Sequence, residues 1–440
     1  MSIKKILAGL ITTSLMITLT SCSGGSTTSN NGESKTEDKE VSTTTTNSSG
    51  KLVVAIWDKN QLDGIQEIVN DFTGKTGIQV DIQVTPWEQY WTMLEAGATG
   101  GSLPDVFWMH SNEISRYTEY EMLLDLTDKI NSSDMIDLTK YPEDIVQIYN
   151  YQDKQFAIPK DIDTIALWYN KKMFDEAGVE YPNENWTWDD FKEACGKLTK
   201  DDGSQFGYAI KPTNNQDGWY NTVYSMGGSV ISEDKKESKM NDANTIKALE
   251  LITGIIKDGH TPAYEVMTEN NPEALFEAGK VAMITQGSWM LAELCNNDYV
   301  KENCDIAVLP KDATTGNRVS IYNGLGWAAS ANTSYPDEAW QLIEYLGSKE
   351  AQQKQSDLGV VISAYEGTTE NWVKAYPDFN LKAYLDMMDN LVIRPYSKTT
   401  VTWEEMISEE LIDAWTGKEE VKDVCNTITT QMSEILSEEQ

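Results

Sequence analysis

Histidine is nearly missing, with two in 440 residues, which leaves little room for imidazole proton transfer or a His-rich metal site. Positive charge is also short. Lys and Arg number 35 against 70 Asp and Glu, for a formal net charge of −35. A nucleic-acid binder needs a basic face to displace counterions, so that class is excluded, and attachment to anionic headgroups is opposed. Apart from Cys22 there are four cysteines, Cys195, Cys295, Cys304 and Cys425, whose spacing fits no zinc pattern. They leave two readings open: disulfides, with Cys295–Cys304 closing the shortest loop, or four free buried thiols. No G-x-S-x-G, H-E-x-x-H or phosphate loop occurs, and no short repeat. No cofactor is expected.

Phenylalanine is scarce where the other aromatics are not: 8 Phe stand against 14 Trp and 20 Tyr. Aromatics with a polar edge suit surfaces that meet something flat and hydroxylated. With 40% hydrophobic and 24% charged residues, the composition is that of an ordinary globular protein, long enough for two large lobes.

Residues 1–21 read as an export signal. Lys4 and Lys5 precede a mainly apolar stretch, Ile6 to Leu19, too short for a bilayer core of about 30 Å. Leu19-Thr20-Ser21-Cys22 resembles a bacterial lipobox, which implies lipidation of Cys22 and a stable anchor outside the cytoplasmic membrane. Residues 22–50 read as that cysteine and a tether. Val41 is the only apolar residue of 23–50, so this segment cannot offset its ordering entropy, and its mean reach is on the order of 30 Å.

From Lys51 the pattern is α/β. Leu52–Ile56 is a continuous apolar run, as for a buried strand. Ile65, Ile68, Val69 and Phe72 lie on one helical face, Gly77 stops that helix, and Ile78, Val80, Ile82 and Val84 alternate as a second strand. A helix over 90–98 leads to a strand over 106–109, giving parallel crossovers. Further on, 246–256 and 337–346 predict helices, 281–284 and 305–309 predict strands, and 348–440 reads as mainly helical. Ligands of such sheets bind beyond the carboxyl ends of strands. Trp57-Asp58, Trp108 with His110, and Ser288-Trp289 all fall there.

Several segments, in order, resemble the extracellular solute-binding proteins of ABC importers, family 1, the carbohydrate binders that include maltose-binding protein. They are Asp71–Ile78, Leu103–Phe107, Ala157–Asp161, Leu167–Lys171, Trp186–Phe191, Phe276–Met283 and Gly287–Trp289. The resemblance covers nearly all of 51–440. It implies a two-lobed, type II periplasmic-binding-protein fold, each lobe a mixed, mainly parallel sheet flanked by helices, with a ligand cleft between. By that analogy lobe one is 51–159 plus 306–347, and lobe two is 160–305 plus 348–440.

A pyranose offers apolar C–H faces and a rim of hydroxyls, so its site needs Trp or Tyr beside carboxylates, amides or Arg. Trp57-Asp58, Trp87-Glu88 and Asn323-Gly324 fit that requirement. The resemblance adds Trp108 and His110, Asp163 (where the family's maltose binder has Glu), the pair Trp219-Tyr220, Trp289 and Trp403, with Arg394 close by. Trp186, Trp188, Trp340, Trp372 and Trp415 are assigned to packing, and His260 to a structural role. An exported glycoside hydrolase is the main rival, since 70 acids hold many carboxylate pairs; a binder of another solute is the second. The expectation is a monomeric, lipid-anchored binder without catalytic activity. It captures a neutral oligosaccharide by hinge closure and docks transiently on ABC permease subunits.

Overall fold

The structure is a computed structural model that describes residues 50–439. The signal at 1–21, Cys22 and nearly all of the tether lie outside the described residues.

Two sheets organise the chain. Sheet one has the order β2-β1-β3-β9-β4, with β1 Leu52–Ile56, β2 Val80–Val84, β3 Val106–Met109, β4 Ala157–Pro159 and β9 Gly326–Ala329. Sheet two has the order β8-β5-β7-β6, with β5 Ile165–Asn170, β6 Phe206–Ala209, β7 Val281–Gly287 and β8 Cys304–Ala307. Helices pack on both. The helix Leu62–Thr76 buries Ile65, Ile68, Val69 and Phe72, and ends at Gly77 in the left-handed conformation, φ 78°, which a residue without Cβ adopts freely. The helix Trp188–Leu198 starts from a capping box in which Thr187 and Asp190 satisfy each other's backbone N–H.

β5 shows why its sequence reads as unbroken apolar text. Ala166 and Trp168, the latter packed with Phe276 and Phe379, belong to a core that continues into sheet one, whereas Ile165, Leu167 and Tyr169 belong to a second core. Successive side chains of a strand point to opposite faces, and both faces here are covered. Trp186, Trp188, Trp340, Trp372 and Trp415 are all buried, in keeping with their assignment to packing. All four cysteines of the folded part are buried and free.

Two expectations need correction. The sheets are mixed, but only β1–β2, β1–β3 and β7–β6 are parallel; β9 runs antiparallel to β3 and β4, and β5 antiparallel to β7 and β8. Strands that enter from the other sheet arrive from the opposite direction, and this reverses them. The segment boundary at 306 is also displaced. It falls inside β8, whose four residues pair with β5 of sheet two, and the chain rejoins sheet one only at β9. An apolar run closed by Pro310 marks a strand without saying which sheet receives it.

The crossings between the sheets lie side by side. Lys160 N–H donates to Leu325 O at 2.7 Å, Asp163 N–H to Asn323 O at 2.9 Å, and Arg394 N–H to Tyr322 O at 2.8 Å. Ser320–Tyr322 pairs in parallel with Leu391–Ile393. Gly324 permits this approach: a Cβ there would lie 2.3 Å from the Asp161 carbonyl oxygen.

Candidate functional site

Just past the carboxyl ends of β1 and β3, five aromatic rings gather. Trp57 meets Trp87, Tyr90 and Trp108 edge-to-face, with centroids 5.1, 5.0 and 4.9 Å away. Trp91 lies 5.8 Å from it, tilted. Trp87 is 39% exposed and Trp57 partly so, so these two are the rings of the group that reach solvent. His110 stands beside them, its ring 5.3 Å from Trp87.

His110 also links this group to the crossings. Its Nε2 accepts from Asn323 Nδ2 at 3.0 Å, and its Nδ1 faces Asn112 Oδ1. Burial, aided by the nearby Arg394 charge, holds its pKa well below the usual imidazole value.

Beyond Asn323 the network enters sheet two. Asp163 Oδ1 accepts from Asn323 N at 3.0 Å and Gln216 Nε2 at 2.7 Å. Burial is the main cause that pushes Asp163 up to about 8, with the neighbouring Asp161 charge adding to it. The turn that carries Gln216 also carries Asn215. Arg394 Nη2 donates to Asn215 Oδ1 at 3.2 Å and to Glu404 Oε2 at 2.7 Å, and Asn215 Nδ2 donates to Glu404 Oε1 at 2.9 Å. Tyr220 OH donates to the same Oε1 at 3.3 Å. Within this network Asn323 Oδ1, Arg394 Nε and Arg394 Nη1 are buried and make no hydrogen bond among the described residues. An acceptor and two donors without partners, near two indoles that reach solvent, form a surface able to take an apolar disc with a hydroxyl rim.

The expected residues thus divide. Trp57, Trp87, His110, Asp163, Asn323 and Arg394 come together. Asp58 lies next to them but is occupied: its two oxygens accept Asn60 N at 2.8 Å and Gln61 Nε2 at 2.9 Å, and burial raises its pKa. Glu88 is exposed. Trp289 is half-buried, and its ring lies over Gly287, where a Cβ would meet it at 2.1 Å.

Trp108, Trp219 and Trp403 are corrected from stacking faces to core, at 0%, 2% and 0% exposure. Lys160 Nζ covers the Trp108 ring at 4.5 Å, Tyr220 packs edge-on against Trp219 at 4.5 Å, and Trp403 Nε1 donates to Ser397 Oγ at 2.9 Å. Tyr220, also fully buried, supports Glu404 rather than facing the cleft. Gly324 serves close backbone packing, and its carbonyl accepts from Tyr149 OH at 2.6 Å.

Gln216, Asn215, Glu404, Gln61 and Lys160 were not anticipated. The polar run Asn214–Asp217, directly before Gly218-Trp219, carried a signal for the first two. A cavity of about 410 Å³ lies at the opposite ends of β1 and β3, lined by Val53, Met93, Leu103 and Asp105 among others, and shares no residue with this network.

The chain is 26% identical over 311 residues to the galactooligosaccharide-binding protein of Bacillus subtilis (strain 168), covering 69% of this chain and 70% of that protein. It is 22% identical over 327 residues to the multiple sugar-binding protein of Streptococcus mutans, covering 71% and 75%. Among solved structures, an ABC substrate-binding protein from Listeria monocytogenes in complex with cycloalternan superposes with a TM-score of 0.81 at 22% identity, covering 88% of this chain and 99% of the other. A receptor of Streptomyces glaucescens, solved unliganded and with acarbose, gives 0.78 at 20% identity, covering 89% and 100%. These likenesses fix the fold as type II and two-lobed, with the cleft between lobes. The family is one of solute binders, which sets the hydrolase reading aside. With the family model for bacterial extracellular solute-binding proteins matching residues 58–353, the chain belongs to that family.

Proposed function

We propose that this protein captures a neutral oligosaccharide in the cleft between its sheets and delivers it to the permease of an ABC importer. One observation carries the reading: Trp57 and Trp87, the indoles of the group that reach solvent, stand beside a polar network in which Asn323 Oδ1, Arg394 Nε and Arg394 Nη1 have no partner among the described residues. Indole faces remove C–H surface from water, while the unpartnered acceptor and donors select hydroxyls. Two solvent-reaching indoles side by side, Trp57 and Trp87, favour more than one sugar ring. Names of relatives that bind galactooligosaccharide and multiple sugars support the same class.

In this reading each sheet with its helices acts as a lobe. The crossings at 160–163, 323–325 and 393–394 form the hinge, and ligand stabilises the closed state by touching both sides. Asn60 Nδ2, next to the aromatic group, already donates to Glu293 Oε2 of the sheet-two side at 2.9 Å. Trp289 is assigned to the far wall of the cleft. The chain is further proposed to be a monomer held outside the cytoplasmic membrane by acyl chains on Cys22. Metabolic labelling with palmitate, lost in Cys22→Ala, tests that anchor.

Isothermal titration of a chain starting at residue 51 with galactotriose, maltotriose and cyclic tetrasaccharides tests the binding. Saturable one-to-one heat with one of them is expected. Continued heat at fixed sugar would mean turnover, and silence for all would redirect the search to another solute.

A further inference from the structure

Lys160 has no exposed surface, although it carries a charge and sits where the chain first leaves sheet one. An ammonium out of water is costly unless its protons all find partners. Here Nζ donates to Asp161 Oδ2 at 2.6 Å and to Gln61 Oε1 at 2.8 Å, and lies over the Trp108 ring, 4.5 Å from its centroid. Asp161 supplies the counter-charge. The other two contacts lead to the candidate site. Gln61 turns its amide nitrogen to Asp58 Oδ2 at 2.9 Å. Trp108 meets the edge of Trp57 at 4.9 Å. Both routes end on adjacent residues, Trp57 and Asp58.

The opposite side of Lys160 is tied to the crossings. Asp161 Oδ1 accepts Leu325 N at 2.8 Å, and the Lys160 carbonyl accepts Gln352 Nε2 at 3.0 Å and Gln355 Nε2 at 2.9 Å. One buried ammonium therefore joins two crossings to the ligand-facing end of sheet one. A staple for stability alone has no need of charge, since an apolar pair of similar volume often serves a core as well or better.

We propose that Lys160 is a positioning residue for ligand capture, which through Gln61 and Trp108 fixes Asp58 and Trp57 relative to the segments that cross between the sheets. Its consequence for affinity rests on reading the cleft as a sugar site; the positioning itself does not. Lys160→Met leaves Asp161 without its counter-charge and can fail to fold. Gln61→Met is therefore the deciding variant: it keeps the length and volume of the side chain, keeps the Lys160–Asp161 pair, and removes both hydrogen bonds of the relay.

The full chain, labelled with ¹³C at Asp carboxyls and ¹⁵N at indoles, is followed by NMR. In Gln61→Met the indole signals of Trp57 and Trp108 should move. Asp58 should titrate at higher pH, because the charged carboxylate, which faces Lys160 and Glu293, loses one donor. The dissociation constant should rise at least fivefold for whichever of galactotriose and maltotriose the unsubstituted protein binds. A folded Gln61→Met with unmoved indoles and an unmoved Asp58 midpoint overturns the proposal. If neither sugar binds the unsubstituted protein, the sugar reading fails, while the NMR outcome still decides the role of Lys160.

Discussion

At the scale of single residues, the site depends on how few of its indoles reach solvent. Trp57 is one of them, and removing it takes away stacking area and the edge contacts to three other rings. Trp57→Ala should weaken sugar binding by about 1–3 kcal/mol, read as a 5- to 150-fold rise in dissociation constant by titration calorimetry. Trp289→Ala should cost a similar amount without unfolding the protein; unchanged affinity would remove it from the site. Asp163 is testable through pH. Its folded pKa is raised, to about 8 from 3.8, so between those values the folded state holds a proton that the unfolded chain releases. Its contribution to stability is complete below pH 3.8 and is lost as pH climbs through 8. Asp163→Asn should therefore melt higher than the parent at pH 8, by about 2–4 °C, with no such gain near pH 4. A melting series across that range checks the sign.

Elements tell which parts of the molecule were legible. β1, β2, β3 and the helix Leu62–Thr76 follow from period-two and period-3.6 patterns, and Gly77 marks the helix end because only glycine is at ease there. Thr187 caps the helix Trp188–Leu198. Thr187→Ala should cost about 1 kcal/mol, visible as a lower midpoint of chemical denaturation at unchanged slope. What was hidden concerns direction and pairing. Nothing local to Cys304–Ala307 says that its partner is β5 rather than a strand of sheet one. Trp108 lies at a strand end, yet a lysine from residue 160 covers its ring. Gln216 reaches Asp163 across 53 positions of sequence. Strand-end aromatics were thus readable as a group. Which of them faces the cleft was decided by contacts that no window of sequence contains.

Across the whole molecule, the net charge of −35 sets up a field that disfavours anionic solutes at long range. Arg394, which stands beside His110 and Asn215, is already paired with Glu404 at 2.7 Å. A uronic-acid analogue of the bound sugar should therefore associate more slowly than the neutral one, with the gap closing as salt rises; stopped-flow tryptophan fluorescence would measure it. The four buried thiols offer a different kind of access. Burial raises the pKa of each above that of an ordinary thiol, to about 12 for Cys304 and Cys425. They should be unreactive until the structure around them opens. Cys304 lies in β8 of sheet two and Cys295 on the short helix Leu291–Asn296 after β7, in the cluster that continues into sheet one, while Cys195 and Cys425 lie in the second core. The chain therefore carries its own pair of clocks: the rate at which a thiol reagent marks each pair times the opening of one of the two cores that meet sheet two, and equal rates would mean that both cores open in one event.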